Sequence, residues 1–174
     1  FHHYGLKIVN CRFFNSFGPG EVPGQYRNVI PNFIYWSMQD KSLPLTGTGD
    51  ETRDFTYVLD LVQGLIKAAF YEDAIGQAFN LASGKETKIK DMIAMVNKST
   101  GNTTPITQFP PRKWDTKKRL LASIELAGKL IDYSPITSFE DGLKANFDWF
   151  NNNWNEIQSS ADFPIGMSSA VRKK

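Results

Sequence analysis

Gly47-Thr-Gly-Asp-Glu-Thr-Arg-Asp-Phe-Thr-Tyr-Val-Leu-Asp60 decides how the rest of the chain is read. Its two glycines take positive φ at no steric cost, so the stretch opens as a turn after the short apolar run Leu43–Leu45. Phe55 to Val58 are β-branched or aromatic and predict a short strand. From Asp60 the spacing changes. Leu61, Val62, Leu65, Ile66 and Ala69 follow a helical stripe, with Asp60 placed to cap the helix and favour its positive end. Arg53 therefore stands just ahead of a strand that runs into a helix. Its planar guanidinium suits two oxygens of one phosphate; the alternative is an ion pair with Asp50, Glu51 or Asp54.

Towards the N-terminus, Leu6–Phe14 is a Val/Ile/Phe-rich run of the kind expected for a strand buried on both faces of a parallel sheet. It ends in the loop Asn15-Ser-Phe-Gly-Pro-Gly20. Ligands gather at the carboxyl ends of such strands, which places Asn15 for a polar contact, although an Asn there also serves to cap its own turn. Pro31 suits the first turn of a helix with Ile30, Phe33, Ile34 and Met38 as its stripe. Asn28 and Val29, at its start, offer backbone donors to an anion.

Towards the C-terminus, Gln77–Ala82 reads as another buried strand and 88–98 as a helix with Ile89, Met92, Ile93 and Val96 inward. Ile106–Phe109 is a possible edge strand stopped by Pro110-Pro111, ahead of the polar cluster Arg112-Lys-Trp-Asp115. Ser123 is placed to cap a short helix carrying Ile124, Ala127, Leu130 and Ile131. Thr137-x-x-Glu140 reads as a capping box for a last helix, whose stripe Leu143, Phe147, Phe150, Trp154 and Ile157 is core packing. Strands alternating with helices make the chain α/β.

The 174 residues suffice for one domain or for a piece of a larger one. A hydrophobic content of 41% argues for a packed core. A formal charge of +2, with no dense basic run, gives no reason to expect nucleic acid. No apolar run reaches the length of a membrane span. The lone Cys11 excludes an internal disulfide and fits a reducing, cytoplasmic setting. A chain opening on Phe1, with no leader pattern, reads as starting inside a longer polypeptide. Residues 159–174 are small or polar and read as a flexible tail.

Several motifs occur in a telling order: Arg12-Phe-Phe-Asn-Ser-Phe-Gly-Pro-Gly20, Asn28-Val-Ile-Pro31, Gly47–Val58 with Asp60, Phe79-Asn-Leu-Ala-Ser83, Arg112-x-x-Asp115, Tyr133-Ser-Pro135 and Ser138–Leu143. Over about residues 4–155 they resemble the C-terminal half of the extended short-chain dehydrogenase/reductases acting on nucleotide sugars. These are the NAD-dependent epimerases and dehydratases, UDP-glucose 4-epimerase-like enzymes foremost, with UDP-glucuronate decarboxylases close by. The resemblance implies the C-terminal part of a Rossmann-type doubly wound parallel sheet (about 4–20 and 53–83). It also implies a small mixed α/β substrate lobe interleaved with it (about 21–52 and 84–158). Carried onto this chain, it implies Asn15 on a phosphate oxygen, and Asn28 with the Val29 amide on phosphate or base. Pro44 and Thr46 would flank the base, Arg53 grip the diphosphate, Arg112 hold phosphate and Asp115 ribose. Phe14 and Asn15 would border the nicotinamide end of an NAD pocket. The implied partners are a nucleotide sugar, most simply a UDP-sugar, and a missing N-terminal half or a second copy.

Two residues depart from the family pattern. Trp114 and Asp132 stand where glycine is usual; the first would narrow or re-aim the base and ribose pocket, the second would take left-handed geometry at some cost. The larger departure is absence. None of the six tyrosines has lysine at the fourth following position, so the family's Tyr-x-x-x-Lys acid/base is not in this chain. Neither Gly18–Gly24 nor Gly47–Gly49 has the spacing of a dinucleotide loop. The chain is thus expected to be inactive alone, with no catalytic residue of its own: the substrate-binding half of such an epimerase or, as the alternative, a nucleotide-sugar binding module without turnover. His2 and His3 stand isolated near the start, and no Cys, His or carboxylate cluster has metal-ligand spacing.

Overall fold

The computed structural model describes residues 3–113 and 115–163. In chain order the elements are β1 (Asn10–Phe13), β2 (Ser16–Phe17), α1 (Val29–Ser37), β3 (Pro44–Thr46), β4 (Thr52–Arg53), β5 (Thr56–Tyr57) and α2 (Val58–Phe70). After a 3-10 turn at Glu72–Ala74 follow β6 (Ala78–Leu81), β7 (Thr87–Lys88), α3 (Ile89–Thr100), β8 (Thr107–Phe109), α4 (Glu125–Ile131), α5 (Phe139–Asn152) and α6 (Trp154–Ser160).

β1 and β6 run parallel in the register Asn10↔Ala78 to Phe13↔Leu81, as expected for neighbouring strands of a parallel sheet. β2–β5 and β3–β8 are also parallel, while β4–β7 is antiparallel. The turn after β3 is built as its glycines predict, with φ of 81° at Gly47 and 80° at Gly49.

Two apolar clusters hold the elements. The larger joins Ile30, Phe33, Ile34 and Trp36 of α1 to Met92, Ile93 and Val96 of α3 and to Leu143, Phe150 and Ile157 of α5 and α6. The smaller packs Ala68 of α2 and Phe79 and Leu81 of β6 against Ala127, Ile131 and Tyr133. Each large side chain so buried contributes about 1.5–3 kcal/mol, against about 0–1 for an exposed ion pair, so packing and not surface charge sets this architecture.

The structure corrects several local expectations. β1 is four residues long and largely exposed; Leu6 and Ile8 precede it and, like Phe13, are open to solvent. Its only strand partner among the described residues is β6. On α2 the buried stripe is Leu61, Gly64 and Ala68, while Val62, Ile66 and Ala69 are exposed. Asp60 does not cap its own helix, which starts at Val58. Its carboxylate accepts from the backbone N–H of Ile136 (3.3 Å) and Thr137 (3.0 Å) and ties that segment down. The cap of α5 falls one residue later than expected: Ser138 Oγ accepts from Asp141 N at 3.0 Å. Ser123 caps nothing, because α4 starts at Glu125 and is preceded by Ile124. Its carbonyl instead accepts from Asn80 Nδ2. The last helix is two helices, broken at Asn153.

Residues 159–163 belong to the packed body, not to a tail. α6 reaches Ser160, Gln25 N donates to Asp162 O, and Phe163 stacks on Tyr35. The rest of the expected tail, 164–174, lies outside the described residues, as do His2 and Trp114. Asp132 takes the left-handed conformation foreseen for it (φ 51°, ψ 42°). No helix among the described residues is long and apolar enough to cross a membrane.

Candidate functional site

Glycine turn, strand ends and one helix start converge on a single cleft of about 260 Å³. α1 forms one wall through Val29, Phe33 and Trp36; β3 forms a second through Pro44 and Thr46. Arg53 of β4, with Arg112 and Asp115 of the segment after β8, makes the charged end, and Asn15 stands at its rim. Seven of the proposed site residues thus line one space: Asn15, Val29, Pro44, Thr46, Arg53, Arg112 and Asp115. Asn28 does not line it. Its backbone N–H and Nδ2 both donate to Glu21 Oε1, at 3.3 and 3.0 Å, so a carboxylate of this chain already faces that helix start. Phe14 is half-buried beside the exposed Asn15 and does not line the cleft either.

Arg53 pairs with none of its acidic sequence neighbours Asp50, Glu51 and Asp54. Nη2 donates to both oxygens of Asp115 at 3.1 Å each, and Nη1 donates to the carbonyls of Thr52 (2.8 Å) and Lys117 (3.0 Å). Asp50 meets Lys88 and Lys90 instead, and Glu51 accepts from Gly49 N. Asp54, fully buried, accepts from Ser83 N, Ser83 Oγ, Gly84 N and Ala122 N, which ties the residue after Arg53 to the turn after β6 and to the segment ahead of α4. Asn15, with a positive φ of 24°, donates through Nδ2 to the Asp54 carbonyl at 3.0 Å.

Arg112 carries a buried, unpartnered donor into the cleft. Its Nε is buried without a hydrogen-bond partner. Burial pushes its pKa below the usual guanidinium value; Asp115 acts against that shift and the like charge of Arg53 adds to it. Arg53 and Arg112 thus share the cleft with Asp115, and Arg27 and Glu51 also line it; three guanidiniums against two carboxylates leave a surplus of positive charge that an added anion relieves.

Sequence reasoning missed Gln25, Arg27, Asn32 and Trp36 around the cleft. Asn32 holds the loop that carries the first two, by accepting from Gly24 N (2.8 Å) and donating to Gly24 O (3.0 Å). Nothing in its local sequence marks an Asn inside an apolar helix stripe as a loop anchor. Among the described residues no group of three His, Cys, Asp or Glu side chains gathers to hold a metal.

Residues 2–82 match the model of the NAD dependent epimerase/dehydratase family. Over those residues, just under half of its length, the chain is similar to that family. An epimerase structure from Methanothermobacter thermautotrophicus is 51% identical and superposes with a TM-score of 0.92 over 93% of this chain and 48% of that one. The Bordetella bronchiseptica enzyme WbmF, solved with NAD+ and UDP, is 36% identical with a TM-score of 0.80, over 91% of this chain and 50% of its own. UDP-glucuronate 4-epimerase of Thermodesulfobacterium geofontis is 33% identical over 91% of this chain and 48% of its own length. The chain therefore spans about half the length of the relatives it matches. The solved epimerases give the same Rossmann-type α/β fold for the part that this chain covers. Its relatives include epimerases, decarboxylases and dehydratases of UDP-sugars alike.

Proposed function

We propose that this chain supplies the nucleoside-diphosphate grip of an NAD-dependent UDP-sugar epimerase, with decarboxylation or dehydration of a UDP-sugar as the alternative within the family. The observation that carries this is the pairing of an under-satisfied Arg112 with Arg53 across one cleft. The diphosphate would lie between the two guanidiniums. Asn15 keeps a second side-chain N–H beyond the one given to Asp54, and that donor is offered to a phosphate oxygen. Asp115 already accepts from Arg53, and a carboxylate has lone pairs left for a ribose hydroxyl. Pro44 and Thr46 would border the base, with Val29 at the helix start beside them. Asn28 would act on the ligand only after turning away from Glu21.

NAD, when bound, would take a hydride from the sugar and return it. This chain offers NAD a rim only: Phe14 and Asn15 sit together at the carboxyl end of β1, which suits contact with the nicotinamide end of a dinucleotide held elsewhere. No catalytic acid/base is assigned to this chain, since it holds no Tyr-x-x-x-Lys. In this reading residues 21–52 and 84–158 form the substrate lobe.

Calorimetry with UDP and UDP-glucose on the longest natural polypeptide carrying this chain tests the grip. A hydrogen bond to a charged group is worth about 1.5–3 kcal/mol, so Arg53→Ala or Arg112→Ala should each weaken binding roughly ten- to a hundredfold. Lysine at either position should recover part of that, because a point charge cannot make the two-pronged contact. Tight UDP binding indifferent to both arginines would place the diphosphate elsewhere and end this reading.

A further inference from the structure

The strap formed by residues 115–124, ahead of α4, runs beside β4 with one parallel bridge between Arg119 and Thr52. Residues 115–122 of this strap hold on by a few defined bonds. On the inner side Arg53 grips it through Asp115 and the Lys117 carbonyl. In the middle it bridges β4: Thr52 N donates to Lys118 O at 2.9 Å and Leu120 N to Thr52 O at 3.1 Å. On the outer side Arg119 donates from both Nε and Nη2 to Glu86, each at 2.8 Å, and Thr52 Oγ1 adds a third bond to the same carboxylate at 2.7 Å. Arg112 is tied to the strap through Asp115 N, which donates to its carbonyl.

The inner hold is made by the same guanidinium that the proposed diphosphate needs. Once Arg53 turns towards phosphate oxygens, the strap loses part of its inner attachment. We propose that Glu86 and Arg119 are positioning residues, an outer clasp that keeps Asp115 and Arg112 in place while Arg53 exchanges its carboxylate partner for the diphosphate. This rests on the reading of the cleft given above.

Most exposed ion pairs contribute little, but this one has the two features that lift a pair above that rule: side-on, two-pronged geometry and membership in a three-donor network. The Arg119 and Thr52 hydrogen bonds hold the Glu86 carboxyl well below the usual range, at about 2, so it stays ionised at any pH used for binding. The exposed pairs of Asp50 with Lys88 and Lys90 link the glycine turn to β7 and α3 and involve no residue of 115–122.

The test compares UDP affinity and amide hydrogen exchange at Thr52 and Leu120 in four forms of the longest natural polypeptide carrying this chain. They are wild type, Glu86→Gln, Arg119→Gln, and the reversed pair Glu86→Arg with Arg119→Glu; Lys90→Ala serves as control. Each single variant should speed exchange at Leu120 and weaken UDP about two- to fivefold, the range open to an exposed but networked pair. The reversed pair should recover most of both effects, and the control should change neither. Unchanged exchange in the single variants overturns the clasp, whatever happens to UDP. Faster exchange with unchanged affinity also overturns it, because the pair is then structural only. A wild type that binds no UDP removes the diphosphate reading, and the clasp with it as a positioning device, while the exchange data still report whether the pair holds the strap.

Discussion

Replacing Asp54 by asparagine keeps the shape of the side chain and inverts the chemistry at one of its two ends. Asp54 Oδ1 accepts from Ser83 N at 2.9 Å and Ser83 Oγ at 2.6 Å, and Oδ2 from Gly84 N at 3.0 Å and Ala122 N at 3.3 Å. Every group around it is a donor. An amide has one carbonyl oxygen, so whichever way it turns, its NH2 meets two donors. The shorter pair at Ser83 will keep the oxygen, which leaves the Gly84 and Ala122 amides without an acceptor. Bonds to a charged group are worth about 1.5–3 kcal/mol each, and the 3.3 Å bond counts at the low end; the summed loss is about 3–5 kcal/mol. That is a large share of the roughly 5–15 kcal/mol that keeps a domain folded. Urea unfolding followed by tryptophan fluorescence measures it, with the slope m compared to confirm that the unfolded state is unaltered. A change below about 1 kcal/mol at constant m would refute the reasoning, and with it the claim that Asp54 anchors the turn after β6 and the segment ahead of α4.

Two glycines in helices should respond oppositely to alanine. At Gly64 of α2 the new Cβ would stand 2.8 Å from Leu81 Cδ2 and from Tyr133 Cε2, both in buried residues, so an overpacking cost of about 1–3 kcal/mol exceeds the gain of about 1 in helix propensity. At Gly128 of α4 the nearest atom is Tyr133 O at 3.6 Å, an ordinary contact, and the same change should stabilise by about 0.5–1 kcal/mol. Thermal unfolding that ranks the two the other way would contradict the packing described. The exposed Leu6, Ile8 and Phe13, with Leu59, Val62, Ile66 and Phe70 of α2, predict that the isolated 174-residue chain self-associates in sedimentation or melts at low temperature. A clean monomer with a high melting temperature would count against these being surfaces that other chain segments cover.

What could be read from the sequence was local. The strands at Asn10–Phe13 and Ala78–Leu81 announce themselves by composition, and the turn at Gly47 by two residues that tolerate positive φ. Arg53, Arg112, Asp115 and Asn15 were recognisable because their motifs resemble a known family, and the fold does bring them to one cleft. The partnerships were not legible. Arg53 reaches Asp115, 62 positions away, and passes over three acidic neighbours that spacing made the simpler partners. Asp60, which spacing marked as a cap, serves a segment 76 and 77 positions further on. Trp36 was invisible as a cleft residue for another reason: an aromatic that lines a cleft and one that fills a core obey the same helical period. α2 misled in the opposite way. Its apolar residues occupy two faces, and periodicity alone cannot say which face is buried.

The pairing of Arg53 with Asp115 changes how the affinity of the cleft should be reckoned. A free guanidinium would contribute its full charge-assisted bonds to an incoming diphosphate. Arg53 is not free: it makes four hydrogen bonds, two of them to Asp115, and its side chain is only 13% exposed. Taking up phosphate is therefore an exchange, in which the new bonds are offset by those given up to Asp115. Arg112 stands differently, with its Nε buried and without a partner and its charge disfavoured by burial. A phosphate oxygen reaching Arg112 replaces nothing, so that contact keeps more of its value. In the same step Asp115, released from Arg53, becomes available to a ribose hydroxyl, which offsets part of what the exchange costs. The cleft is in this way held together by its own carboxylate before any ligand arrives. Arg112→Ala should accordingly weaken UDP binding at least as much as Arg53→Ala, even though Arg53 makes more bonds in the structure.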